Sequence, residues 1–409
     1  MKNTSKVYYG WYMVAFSFLV QALAYASLVS CQGIFIKPVT EDLGVARSDF
    51  SAVMTFSAVG LILGSLFMGK LFRKYPFKNI IGTCCVIVCS CLAGFGFSSQ
   101  MWQFYILGSI MGIAFAGLTT IPVSILINNW FGVKKKGLAM SIAFVGSSIG
   151  GMVLTFVLNS IIEHFGWRIA YWFNAALIFF VIMPLILFLV VSKPSEKGLS
   201  RIGEGEVLQS DRGLTIAQAQ KTVSFWLIFF SFFLISMMNS GILNHQIPYL
   251  SDIGFSSALS ASIGALSIGL ASVGKLILGL LCDKLGIKKG SLVGNSLFFF
   301  AMIALLFTNN FHFLAYLYVL TFCIGGSVPT ICPPLFVANV FGEKDYGSLV
   351  GFLNVAAGLG GAIGSLLCGK LYDLTGNYSL CWSSFIIIAM IAMIMQWISL
   401  RKKLLGMNS

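Results

Sequence analysis

The sequence predicts an all-α integral membrane protein with 12 transmembrane helices, arranged as two pseudo-symmetric halves of six. Three observations predict it. Of 409 residues, 58% are hydrophobic and 10% charged, with a mean hydropathy of +0.91. A soluble core of this size cannot hide so much apolar surface, whereas hydrocarbon dissolves it. Apolar stretches of about 20 residues recur along the chain, each long enough to cross ~30 Å of hydrocarbon. Landmarks of the first half also return at a fixed offset of 210 residues. Pro38, Asp42 and Gly44 are answered by Pro248, Asp252 and Gly254, and Asn129, Phe131 and Gly132 by Asn339, Phe341 and Gly342. Gly150, Gly166 and Trp172 recur as Gly360, Gly376 and Trp382.

The spans are bounded by polar breaks, taken in order. The first, 11–36, opens after a short basic leader and closes before Lys37–Pro38. The second, 50–70, lies between Asp49 and Arg73, and the third, 79–98, between Lys78 and Gln100. The fourth, 102–128, ends at Asn128–Asn129; the fifth, 137–162, follows three lysines and stops at Glu163; the sixth, 169–191, follows Arg168. The second half repeats the order at 222–250, 257–281, 291–308, 312–340, 347–371 and 379–400. Backbone groups in lipid must pair within their own segment, so all twelve read as helices. Pro122 in the fourth span, and Pro329, Pro333 and Pro334 in the tenth, predict kinks at related places. Glycines such as Gly146, Gly150, Gly360 and Gly364 predict helix faces that approach closely.

The domain organisation follows: 1–191 is the first six-helix half, 192–221 a polar linker, and 222–409 the second half. The linker holds four glycines, and its Leu214–Gln220 stretch reads as a short surface helix. No other loop reaches twenty residues, and there is no GxxxxGK[ST] loop, which excludes a pump driven by an ATPase in this chain. Met1–Val7 could pass for the start of a signal peptide, but the run that follows is too long and eleven more spans come after it, so it reads as an uncleaved first helix.

The net charge of +13 suggests nucleic acid until its placement is considered. With both termini cytoplasmic, 21 Lys and Arg residues fall on the cytoplasmic side against four, Lys37, Arg47, Arg168 and Lys370, on the other. That is the positive-inside pattern of a multi-pass cell-membrane protein, with anionic headgroups and no nucleic acid as neighbours. Ten cysteines lie within spans or at their ends and read as small hydrophobes, so no metal, disulfide or other cofactor is expected. There is no nucleophile–base or metal-ligand cluster to suggest an enzyme.

At this point the chain resembles the major facilitator superfamily across essentially its whole length. The stretch GLLCDKLGIKK, Gly279–Lys289, matches that family's loop G-x-L-x-D-R/K-x-G-x-K/R-K. The resemblance implies a cytoplasmic gate latch built from Gly279, Asp283 and Lys284. The first-half copy GKLFRKYPFK, Gly69–Lys78, puts Arg73 where the acid belongs and Pro76 in place of a glycine, which leaves the latch to Asp283. Finer features look like the monocarboxylate transporter and oxalate/formate antiporter branch. They are YGWYMV at Tyr9–Val14, GIFIKPVTEDLGVARSDFS at Gly33–Ser51, WFGVKKKGLAMSIAFVGSSIGG at Trp130–Gly151, FGWR at Phe165–Arg168, HQIPYLSDIGFS at His245–Ser256 and LYDLTGNYS at Leu371–Ser379.

Lys275 is the one cation well inside a span, and a charge at mid-membrane costs about 2.5–3.5 kcal/mol on an insertion scale. On a helical projection it shares a stripe with Gly264, Ile268, Ala271, Ser272 and Gly279, opposite Leu266, Leu270, Val273, Ile277 and Leu281. Monocarboxylate carriers, by the resemblance, place a substrate-binding arginine here. The alternative is a long stem that snorkels to the interface. All thirteen acidic residues map to loops or span ends, which makes the interior positive or neutral and favours a small organic anion over a cationic cargo. The resemblance also implies an aspartate one turn before Lys275 in proton-coupled carriers, where Ala271 stands, and a second base in the eleventh helix, where Leu353 and Asn354 are neutral. A monoanion held by one cation fits better than a dianion.

His245, near the outer end of the seventh span, is a candidate for proton coupling or gating, or else a hydrogen-bonded packing residue. Tyr25, Thr119, Thr120 and Asn354 are the candidate polar lining. The expectation is a monomeric secondary transporter of a monocarboxylate-like anion working by alternating access, through proton symport or anion exchange. The alternatives are an exporter of neutral or amphipathic metabolites or drugs, or a transporter-like membrane sensor.

Overall fold

The computed structural model describes residues 8–45, 47–202 and 213–400. Among these the structure is helical apart from isolated bridges. It divides into two compact units, Met1–Val207 and Leu208–Ser409.

In the first unit the chain enters as α1 (Gly10–Val20), widens into a π-helical turn at Gln21–Tyr25 and continues as α2 (Ala26–Val29). The chain then breaks before α3 (Gly33–Leu43). The apolar run therefore does not form one helix over 11–36. The amides of both Ser30 and Cys31 close on Ala26 O, which ends the helical ladder early. α4 (Arg47–Lys74), α5 (Phe77–Phe97), α6 (Met101–Leu118), α7 (Thr120–Trp130), α8 (Val133–Phe165) and α9 (Trp167–Phe188) follow. The α6–α7 break falls at Thr119, with φ −108° and ψ −102°. Pro122, three residues later, cannot donate to the carbonyl of Leu118, and its ring crowds that carbonyl.

The second unit opens with α10 (Ile216–Ala219), capped by Thr215, whose side chain accepts from Gln218 N. α11 (Val223–Asp252) and α12 (Ser257–Phe307) come next. The 51 residues of α12 hold two expected spans, joined at Gly286, whose φ of 77° suits a residue without a Cβ. That junction is why, among the described residues, 11 helices have the length and hydropathy to cross a membrane while the sequence predicts 12 spans. α13 (Leu314–Gly325) and α14 (Val328–Phe336) are separated at Gly326–Ser327, and a second π-helical turn occupies Val337–Phe341. Pro329 stands in the first turn of α14, and Pro333 and Pro334 precede the π turn. α15 (Tyr346–Thr375) and α16 (Ser379–Ser399) complete the unit.

Both units use the same packing pairs. α1 lies on α8, α4 on α6, and α5 on α9; their counterparts are α11 on α15, the first arm of α12 on α13, and α16 on the rest of α12. Close approach depends on missing side chains. A Cβ on Gly150 would strike the backbone of Ala22, and one on Gly360, its mate in the repeat, would strike the backbone of Phe233. Phe156, Phe180, Phe188 and Leu366 stand about three-quarters exposed or more, which suits a hydrocarbon surround.

The connecting segment is gripped at both ends by equivalent loops. Gly132 N donates to Ile202 O at 2.8 Å in the first unit. Leu214 N donates to Phe341 O at 2.8 Å in the second. Residues 203–212 lie outside the described set.

Candidate functional site

In the first unit the candidates gather where α1 and its π turn meet α6 and α7. Ser17, Gln21 and Tyr25 are four residues apart, hence on one helix face. Ser17 and Gln21 are fully buried, and neither the Ser17 hydroxyl nor either end of the Gln21 amide has a hydrogen-bond partner. The Ser124 hydroxyl of α7 is in the same condition. Buried polar groups are ordinarily paired, and with the Ser65 hydroxyl of α4 the unit has four residues whose polar atoms lack a partner. The Tyr25 ring packs on Phe115 of α6 at 5.6 Å between centroids. Thr119 is buried, and its hydroxyl donates back to Phe115 O at 2.8 Å, while Thr120 is half-buried. Tyr25 and the Thr119–Thr120 kink are thus brought together through Phe115.

In the second unit Lys275 is 8% exposed. It lies eleven residues before Gly286, about 16 Å by helix rise, which places it deep within its span. The preceding residue marks the tightest approach to α13, since a Cβ on Gly274 would meet the Cys323 carbonyl. One turn earlier, Ser327 Oγ at the α13–α14 break donates to Ala271 O at 3.3 Å. The helix carrying Lys275 is therefore held against the one place where the facing helix is interrupted. The expected stripe pattern holds on the far side, where Leu266, Val273 and Ile277 are exposed, but Ile268 is also exposed, at 52%. Gly279 is buried, Asp283 half-buried and Lys284 exposed.

His245 is engaged in packing. Its Nε2 meets Ser365 O at 3.0 Å and its Nδ1 meets Tyr378 OH at 3.1 Å, so the ring joins α11 to α15 and to the start of α16. A neutral ring fits this by donating from Nε2 to the carbonyl and accepting the phenol proton at Nδ1. Tyr249, on the same face, donates to Leu305 O at 2.8 Å and packs its ring on Tyr378 and Trp382. Tyr378 lies just outside the apolar part of α16, and burial, aided by the nearby Asp252 charge, pushes its phenol up to about 12. Asn354 is half-buried on α15.

Two features escaped the sequence reading. Gln246 of α11 is fully buried, and its Oε1 accepts from Ser267 Oγ at 2.9 Å and Tyr318 OH at 2.6 Å, while its Nε2 has no partner. The signal was available, since Gln21 and Gln246 are amides inside apolar runs. The other is Lys136, 5% exposed at the start of α8, whose Nζ donates to Asn128 Oδ1 at 2.5 Å. Sequence placed it in a loop, and only the fold folds that loop inward.

Duplicated helical halves with buried polar groups inside the spans define a membrane transporter. The Major Facilitator Superfamily model matches residues 14–338 and 270–405, and the chain belongs to that family. It is 26% identical over 351 residues to the 3-(3-hydroxy-phenyl)propionate transporter of Escherichia coli K12, covering 84% of this chain and 82% of the relative. To the sialic acid transporter NanX of the same organism it is 22% identical over 352 residues, covering 85% and 83%. The fold matches a proton:xylose symporter, XylE, with a TM-score of 0.74 at 12% identity, covering 96% of both chains.

Proposed function

We propose that this protein is a secondary transporter of a small, monocarboxylate-like organic monoanion, with Lys275 as the substrate anchor and alternating access as the mechanism. One observation carries the reading. A lysine is buried deep in α12, while every described Asp and Glu lies in a loop or near a helix end. Asp345 is the most buried of these acids, yet it stands just before the start of α15 and accepts from Ile216 N at 2.9 Å, away from the apolar stretch. The interior polarity is therefore positive with neutral hydrogen-bonding groups, which suits a single carboxylate. That two relatives are transporters of a propionate and of sialic acid supports an acidic cargo.

A lysine grips a carboxylate as a point charge rather than a two-pronged fork, which favours a small anion over one needing rigid bidentate recognition. The polar hydroxyl and amide groups near Tyr25, Thr119, Thr120 and Asn354 would orient the remainder of the solute. Proton symport and anion exchange are the two coupling modes the reading allows. The working unit is taken as a monomer in the cell membrane, both termini cytoplasmic, with Gly279, Asp283 and Lys284 at the cytoplasmic gate.

The test is uptake of short carboxylates into proteoliposomes by wild type and Lys275→Gln. The variant is expected to lose uptake while keeping the fold. Uptake at the wild-type rate would remove Lys275 from the site. Transport of neutral solutes that ignores Lys275 would favour an exporter of neutral or amphipathic molecules instead.

A further inference from the structure

A second polar cluster lies in the second unit, between the arm of α12 that follows Gly286 and α16. After Gly286, Lys288, Ser291 and Asn295 lie on one face of α12 at helical spacing. On α16, Met393, Gln396 and Trp397 do the same. The two faces border a narrow, open-sided cleft. Its floor is closed by Asn295 Nδ2 donating to Gln396 Oε1 at 2.7 Å, and by Ser296 Oγ against Met393 Sδ at 3.7 Å.

Two observations point to a ligand. Gln396 is 2% exposed and lines this cleft, and its Nε2 is buried without a hydrogen-bond partner, so its amide protons lack an acceptor within the protein. A buried donor left unpaired is costly, so it is seldom left idle. Lys288 stands exposed at the cleft, at the end of the unit where Lys284 and Lys289 also lie, and Arg401, Lys402 and Lys403 follow directly after Leu400 in the sequence.

The surroundings say which acceptor. Above the cleft the outer faces of both helices are apolar and open: Phe300 on α12, and Met390 and Ile394 on α16, are 43–54% exposed. Trp397, partly exposed at the cleft, is an aromatic of the kind enriched at headgroup depth. A polar, basic notch beneath an apolar wall matches a phospholipid, with its phosphate below and its acyl chains along the wall. Basic pockets between membrane helices bind anionic headgroups for this reason. We propose that the α12–α16 cleft is a binding site for the phosphate-bearing headgroup of an anionic phospholipid, in the leaflet that adjoins the basic loops. Gln396 Nε2 donates to a phosphate oxygen, and Lys288 supplies the opposing charge.

The experiment measures lipid retained by the purified full-length protein in native mass spectra, together with its unfolding temperature. Dioleoylphosphatidylglycerol, dioleoylphosphatidylcholine and inorganic phosphate are titrated separately. Wild type is expected to retain and be stabilised by phosphatidylglycerol, and by neither of the others. Lys288→Gln, an exposed change that leaves the packing alone, is expected to weaken retention about fivefold. Gln396→Met, of similar volume, is expected to weaken it about tenfold or more. Lys289→Gln, which lies outside the cleft lining, should match wild type. Equal retention by all three variants would overturn the site. Stabilisation by inorganic phosphate alone would overturn the lipid in favour of a soluble anion, and equal retention of phosphatidylcholine would overturn the role of charge.

Discussion

Gly360 and Gly361 are neighbours on α15, yet alanine should act on them in opposite directions. At Gly361 a new Cβ meets nothing within 4 Å. Replacing a mid-helix glycine by alanine there should stabilise by about 1 kcal/mol, because the unfolded chain loses freedom and the helix gains a better former. At Gly360 the same atom falls on the backbone of α11. It would sit 3.0 Å from the carbonyl carbon of Phe233 and 3.1 Å from Met237 N, with the Phe233 oxygen nearer still. A side chain could rotate away, but backbone cannot, so the upper end of the overpacking range, about 3 kcal/mol, applies. Set against the propensity gain, Gly360→Ala should destabilise by about 2 kcal/mol, leaving about 3 kcal/mol between the two variants. Denaturation of the purified proteins in detergent, followed by far-UV circular dichroism, gives the comparison. If Gly360→Ala proves as stable as Gly361→Ala, α11 and α15 have slack at this crossing, and the backbone contact is not what holds them together.

Other consequences can be checked with single variants. Tyr378 has its phenol raised from 10.0 to about 12 by burial and the Asp252 charge, so the fold favours the protonated form. That contribution is complete below pH 10 and is lost as pH climbs toward 12. Tyr378→Phe should therefore show a shallower loss of stability over that window than wild type, and parallel curves would count against it. Arg168 Nη1 lies 2.6 Å from Asp42 Oδ2, with the two side chains 39% and 45% exposed. In that setting Asp42→Asn should lower stability by only about 0.2–1 kcal/mol, and less in high salt; a loss several times larger would show the pair is shielded from water. All ten cysteines are buried, so a maleimide should label the folded protein poorly and the denatured protein fully. Rapid labelling of the native state would contradict that burial.

The helices and the duplication could be read from the sequence because apolar length and polar breaks are local signals. The first span was drawn too long for the same reason. Residues 30–36 are apolar enough to continue it, while the break depends on two amides closing on Ala26 O. The kink near Pro122 was legible, although its position at Thr119 follows from a carbonyl four residues upstream. The depth of Lys275 was legible from spacing. The engagement of His245 was not, because Ser365 and Tyr378 are 120 and 133 residues away. Gln246 was missed for the opposite reason: its residue type was visible, but its two partners come from different helices.

The repeat also separates scaffold from chemistry. Positions that recur at the 210-residue offset, such as Gly150 with Gly360 and Phe131 with Phe341, serve helix crossings and loop contacts in both units. Some polar groups inside the spans do recur, as Ser57 does at Ser267, but others are not matched in kind. Lys275 answers to Ser65, Gln246 to Ile36, and Tyr318 to Gly108. A structural duty shared by two halves should be filled alike in both, since the packing pairs are the same. An unmatched buried polar residue has no such symmetric duty to explain it. The buried polar groups of the two units differ in kind: neutral amide and hydroxyl groups at Ser17, Gln21 and Ser124 in the first, and a lysine and a half-satisfied glutamine in the second. On the transport reading proposed above, Gln21→Leu alone should lose more affinity for a hydroxylated carboxylate than for a plain one. Equal losses for both would detach Gln21 from the solute.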